Sequence, residues 1–329
     1  MIPSTARTWS IRILGILLPL FLLVTLAEIL VRFIPPDLMV LRQLVKVVPD
    51  TRPYILNSEI NIPFTGMFTP ISPPIEWRTN AQGLREDYVV TPRATRFRIA
   101  TYGDSETFGW SVKSADTFQK QMETMDSRVE VLNFGVPGYN VTNIADHMEK
   151  TTPLYHPDLI IYLVHKNDLD DSIELSQIFE HSHLILKLRL LYQQWVLKPE
   201  QKKIRRSPER QAFFTKEVHR IIQLCKQRQI PLILAFLNKQ SEEILREFGL
   251  QQPSYQLDVP PDRSEPLSPL QLLNVNPVIK QFPKLDHHLS PLAYHHLAKK
   301  LCQVISTSTV EHCIPPTMSA SPSTEKSTN

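Results

Sequence analysis

The sequence predicts an α/β fold: a three-layer α/β/α sandwich on a central parallel sheet of about five strands, preceded by one N-terminal transmembrane helix. Three observations predict it. From Arg96 onward, short unbroken apolar runs alternate with segments of helical periodicity, the pattern of parallel strands buried on both faces and covered by helices. Four of the eight glycines (Gly103, Gly109, Gly135, Gly138) fall in the stretch that contains the first two runs and the turns after them. Glycine is needed where φ is positive or a ligand approaches the backbone, so special turns gather there. Finally, Ile13 to Ala27 carries no charge, and Glu28 alone interrupts the apolar run before Val31. That is about the length that spans a bilayer as a helix.

Taken in order, residues 1–10 read as a short tail and 11–33 as the transmembrane anchor. Arg7 and Arg12 ahead of the apolar run favour a cytoplasmic N-terminus and an exported body. Arg32, Arg42 and Lys46 on the far side pull against that orientation. A cleaved signal peptide, with Thr25-Leu26-Ala27 as a weak small-x-small site, is the competing reading. Residues 34–95 read as a proline-rich stalk and N-terminal extension, with a short strand, a Gly83 turn and a return between Trp77 and Arg85. Strands are expected at Phe97–Tyr102, Val129–Asn133, Leu159–Val164 and Ile230–Leu237, with a weaker fifth at Tyr255–Val259. Helices are expected at 114–126, 141–153, 208–228 and 291–305, the last opened by Ser290 as N-cap and Pro291 at its first position.

These elements make a domain over 96–306, interrupted by a helical insertion at 170–207. Leu184, Leu188, Leu191 and Trp195 keep helical spacing there, and the basic Lys202, Lys203, Arg205 and Arg206 follow. The plain reading packs this helix on the domain; the sharper one makes it a lid or a membrane-facing element. Residues 307–329, rich in serine, threonine and proline, read as a disordered tail.

Composition excludes some functions. Charged residues are 21% and the net charge is +3, which leaves no electrostatic footprint for nucleic acid. Of three cysteines, Cys302 and Cys313 are near enough in sequence to bridge in an oxidising compartment, with Cys225 a buried thiol. Three reduced cysteines are the alternative. No P-loop, dinucleotide glycine pattern or Gly-x-Ser-x-Gly elbow occurs, so no cofactor is expected. No metal is expected either, since His295 and His296 are adjacent on a helix and point differently.

Four short blocks carry the chemistry. Gly103-Asp104-Ser105 ends the first strand; Val131 to Gly138 follows; then come His165-Lys166-Asn167-Asp168 and, late in the chain, Asp286-His287-His288. A serine hydroxyl attacks only when a base takes its proton. Ser105 is the candidate nucleophile, His288 the base, and Asp286 the group that orients the imidazole. The backbone N–H groups of Ser105 and Gly138 and the side-chain amide of Asn167 are the candidate oxyanion donors. Asn140-Val141-Thr142 matches a glycosylation sequon but adjoins the second block and is discounted.

In this order the blocks resemble those of the SGNH (GDSL-type) hydrolase superfamily, over about residues 96–305. The resemblance implies the same roles for Ser105, Gly138, Asn167, Asp286 and His288, on a flavodoxin-like sheet. Two positions depart from the family pattern. His165 stands where glycine is usual, and Asp286 and His288 are spaced Asp-x-His where many members have Asp-x-x-His. His287 is therefore a rival base, although His288-Leu289-Ser290-Pro291 is the more similar to the family's His-Pro-Asn run. Asn80, Gly83 and Arg85 resemble the lead-in of membrane-anchored members.

The expectation is a serine esterase or deacylase that forms an acyl-enzyme on Ser105, acting on an ester-bearing small molecule, lipid or glycan. It would be held to a membrane by its N-terminal helix. The alternatives are an O-acyltransferase using the same triad and a catalytically idle, anchored binding protein.

Overall fold

The computed structural model describes residues 4–31, 43–48, 54–66, 71–92, 96–170, 182, 184–185, 188, 207–237, 243–246, 270–275, 284–285 and 288–308. Helix α1 (Ser4–Val31) forms where the anchor was expected. Ile16, Leu17, Phe21 and Leu23 lie exposed along it. Yet among the described residues no helix is long and apolar enough to cross a membrane, so the bilayer-spanning role expected of 11–33 is not supported. Glu28, which interrupts the apolar run, accepts hydrogen bonds from Ser182 Oγ at 2.8 Å and the Leu184 N–H at 2.9 Å. A carboxylate near the end of the apolar run is thus held by the protein's own insertion.

The segment expected as stalk and extension contributes two small antiparallel pairs. β1 (Val45–Lys46) pairs with β2 (Ile55–Leu56), and β3 (Asn61–Phe64) with β4 (Ile75–Arg78). Alternation along β3 and β4 sends Ile62, Phe64, Ile75 and Trp77 inward and Asn61, Glu76 and Arg78 outward. With Leu44, Tyr54, Leu56, Leu84 and Val90, these inward residues belong to the larger of two hydrophobic cores.

The central sheet has five parallel strands: β5 (Phe97–Gly103), β6 (Val129–Gly135), β7 (Leu159–Val164), β8 (Leu232–Phe236) and β9 (Leu270–Asn274), in the order β6-β5-β7-β8-β9. Every residue of β5 through β8 is buried, as their unbroken apolar runs require. Successive side chains serve opposite faces. Ala100, Leu132, Ile160 and Leu234 enter the larger core with α4 (Val141–Tyr155) and α5 (Pro208–Gln227); Ile99, Val131, Ile161 and Ile233 enter the second, with α3 (Phe118–Met125) and α6 (Pro291–Ser308). The fifth strand is not at Tyr255–Val259, which lies outside the described residues. β9 is an edge strand half-buried along its length, and Leu-Gln-Leu-Leu-Asn lacks the continuous apolar run that marks its neighbours.

Helix starts follow their caps. Asn140 and Asn143 form a reciprocal capping box at α4. Ser207 caps α5 ahead of Pro208, and Ser290 Oγ accepts the Ala293 N–H at 3.3 Å at the start of α6. Cys225 is buried and Cys302 is a half-buried free thiol; Cys313 and the tail lie outside the described residues. In the insertion only Leu184, Ile185 and Leu188 are described as helical. Leu191, Trp195 and the basic run after them also lie outside.

Candidate functional site

The sheet order sets the place. From β5 the chain goes to β6 on one side and returns across β5 to β7 on the other. The crevice at such a reversal, beyond the carboxyl ends of the strands, is where open α/β sheets bind ligands. Gly103 is paired with Gly135, and Tyr102 with Tyr162. Three blocks therefore leave three adjacent strands at one level: Asp104-Ser105, the Gly138 loop, and His165 to Asp168.

Ser105 opens a one-turn helix, α2 (Ser105–Phe108), capped by Asp104, whose Oδ1 accepts the Glu106 N–H at 2.9 Å. The helix lies so close to the end of β6 that a Cβ on Gly135 would sit 2.2 Å from the Phe108 nitrogen. Gly135 is there because nothing larger fits. Ser105 is the only residue of 97–112 that is not buried, and Gly138 the only one of 129–141. His165, Asn167 and His288 are likewise half-buried. A serine, a glycine turn, an amide and two imidazoles thus lie half-buried at this sheet end.

His288 meets Ser105: its Nε2 is 2.9 Å from Oγ. The imidazole is delivered by β11 (His288–Leu289), paired antiparallel with β10 (Lys284–Leu285). Three contacts hold it. The Leu289 N–H donates to Glu106 Oε2 at 3.1 Å, and the Tyr294 hydroxyl of α6 donates to the Glu106 carbonyl at 2.6 Å. The Trp110 ring stacks on the imidazole at 5.7 Å between centroids and 29° between planes. Asp286 and the rival base His287 lie outside the described residues. Sequence reasoning missed Glu106 and Trp110, and only their closeness to Ser105 in the chain pointed toward them.

The oxyanion candidates are distributed as the topology demands. The Ser105 N–H is the first of α2 and has no intrahelical acceptor; Gly138 turns at φ 81°, a conformation that favours glycine. Asn167 Nδ2 donates to Asp104 Oδ2 at 2.7 Å, which fixes the amide and leaves its second hydrogen to give. His165 Nδ1 lies 3.2 Å from the same Asp104 oxygen. The departure at residue 165 therefore places an imidazole beside the amide.

Charges at this end are finely set. Burial alone would raise the Asp104 carboxyl, but the hydrogen bond and charge of His165, the Asn167 amide and the Glu106 N–H together hold it below its ordinary value. Burial opposes charging His165, but the hydrogen bond and charge of Asp104, with Glu106 and Asp168, raise it above the ordinary histidine value. Asp168 is pushed well up by burial and by Asp104, against bonds from the His165 N–H and the Tyr162 hydroxyl at 2.8 and 2.7 Å. The shifts of Asp104 and His165 both favour an ion pair between them, while that of Asp168 favours its neutral form. Among the described residues no group of three or more His, Cys, Asp or Glu side chains is placed to hold a metal ion.

The extension reaches this site from below. Arg85, buried, donates to the carbonyls of Phe108, Gly109 and Val112, just past the end of α2, and its guanidinium lies over the Phe108 ring. Trp77 Nε1 donates to the Trp110 carbonyl at 3.0 Å. A cation at a helix C-terminus complements the carbonyls there, so both ends of the short helix that opens with Ser105 are fastened.

No protein-family model matches the chain, and no curated protein does. Several solved structures resemble it. A lipolytic protein of the G-D-S-L family from Veillonella parvula is 14% identical, with 64% of this chain and 98% of that one covered at TM-score 0.40. The psychrotrophic esterase EstA from a Pseudoalteromonas species is 9% identical, covering 64% and 97% at TM-score 0.40. A GDSL-like lipase from Bacteroides thetaiotaomicron is 10% identical, covering 66% and 92% at TM-score 0.41. At such identities and scores these likenesses carry no chemistry to the chain, which rests on the residues described above.

Proposed function

We propose that the chain is a serine ester hydrolase of the SGNH type, working through an acyl-enzyme on Ser105. The observation that carries this is the 2.9 Å contact between His288 Nε2 and Ser105 Oγ, made at the sheet's topological switch by residues from opposite ends of the domain. As Oγ bonds to the ester carbonyl carbon, its proton passes to Nε2 and the carbonyl electrons move to oxygen. The N–H groups of Ser105 and Gly138 and the second hydrogen of Asn167 Nδ2 receive that oxyanion, each contributing about 3 kcal/mol to the barrier lowering. The oxyanion collapses, the C–O bond to the alcohol breaks, and the alcohol leaves with the proton from Nε2. Water then repeats the sequence on the acyl-enzyme, releasing the acid and regenerating Oγ–H. Asp286 is assigned the orienting role by its place in the chain.

The substrate class is an ester-bearing small molecule, lipid or glycan. The body would be held at a membrane with α1 as tether; the exposed apolar side chains of α1 support attachment.

The test is turnover of p-nitrophenyl acetate and octanoate by the full-length protein beside Ser105→Ala and His288→Ala. Wild-type turnover that falls by about 10⁴-fold or more in both variants is the expected result. A wild type no faster than the variants overturns hydrolysis and favours acyl transfer or an idle, binding role.

A further inference from the structure

We propose that His165 is the charge-balancing residue of the oxyanion site: paired with Asp104, its imidazolium keeps that buried carboxylate from opposing the negative charge that forms on the acyl oxygen at Ser105. This rests on the ester-hydrolase reading.

Asp104 is tied to the site by two structural tasks. It caps α2 through Oδ1 and holds the Asn167 amide through Oδ2. Its side chain is fully buried and directly precedes the nucleophile. An anion generated on the Ser105 adduct therefore forms near a carboxylate shielded from water, where like charges repel strongly. The repulsion would grow in the transition state and raise the barrier, the reverse of what an oxyanion site supplies. His165 cancels it at the source, because its Nδ1 lies on the very oxygen that holds Asn167. Its side chain is 16% exposed, so it can exchange its proton with solvent while Asp104 cannot reach water.

The groups facing His165 are Asp104 from the β5–α2 turn, Glu106 from α2 and Asp168 from its own turn. All three favour the charged ring. Asp168 contributes least of the three. The sequence singled out this position by setting a histidine where the resembling block has glycine. A residue with no side chain leaves Asp104 uncompensated; this chain supplies the counter-ion.

The consequence is an alkaline limb in the pH profile. Activity depends on His165 holding its proton. On the alkaline side it falls as His165, raised above the ordinary histidine value, loses that proton and leaves Asp104 unbalanced.

The experiment measures the rate of Ser105 phosphonylation by a fluorophosphonate, and kcat/KM for p-nitrophenyl acetate, across pH on full-length protein. Wild type is compared with His165→Gly, His165→Gln and the double variant Asp104→Asn/His165→Gly. Wild type should lose activity on the alkaline side. His165→Gly and His165→Gln should lose the alkaline limb and fall by about tenfold or more at neutral pH. Neutralising Asp104 in the double variant should recover part of the loss, a rescue that lost packing would not show. A reactive wild type whose alkaline limb survives His165→Gly, or a double variant no faster than the single, overturns the inference alone. A Ser105 that reacts at no pH overturns the hydrolase reading and the inference with it.

Discussion

Gly135 shows how much one residue can decide. It ends β6 with no room for a Cβ, because the backbone nitrogen of Phe108 occupies that space. Backbone, unlike a flexible side-chain tip, cannot step aside cheaply. Gly135→Ala must therefore push α2 off the sheet and carry Ser105 with it. We expect a loss of about 2 kcal/mol or more, read as a lower urea midpoint, together with slower phosphonylation of Ser105. At this scale the candidate site was well marked in the sequence. Ser105, Gly138, Asn167 and His288 stand in blocks whose order and turn chemistry are local properties. The Asp104–His165 contact was not marked, since it joins residues 61 positions apart and depends on the register of β5 against β7. Sequence spacing records neither.

At the scale of elements, strands buried on both faces and helices opened by Ser207, Asn140 or Ser290 announce themselves. An edge strand such as β9 does not, because half-burial removes the unbroken apolar run. The small pairs β1–β4 were equally hard to read: two-to-four-residue strands carry too little pattern, and their prolines suggest a stalk. Their tertiary role comes through Arg85 and Trp77. Arg85 is the donor for three carbonyls at and just past the end of α2, and Trp77 holds the carbonyl of the residue that stacks on His288. Arg85→Met keeps much of the buried volume but strips those carbonyls of their charged donor. It should cost about 3 kcal/mol or more and lower kcat more than it raises KM, since it loosens the helix that carries the nucleophile. An unchanged denaturation midpoint would refute the clamp.

For the whole molecule, the N-terminal third divides into parts with different dependencies. Leu44, Tyr54, Leu56, Ile62, Phe64, Ile75 and Trp77 are all buried in the larger core. At roughly 2 kcal/mol each, their removal matches the upper end of the ~5–15 kcal/mol by which domains are stable. A truncation beginning at Arg96 should therefore fail to give a cooperative unfolding transition. One beginning at Ile34 should keep it and, on the tether reading, leave the membrane fraction for the soluble one. A folded Arg96 truncation would show that the extension is dispensable.

The delivery of His288 by β11 has a consequence for synthesis. A chain emerging from the ribosome exposes β5, the Ser105 turn and the loops after β6 and β7 well before the β10–β11 hairpin and α6 are made. Until those segments dock against Trp110 and Glu106, the hydroxyl has no base and remains as unreactive as any surface serine. On the hydrolase reading, the reaction is switched on by the last described elements to be translated, so a nascent chain stalled or clipped upstream of Lys284 stays chemically silent.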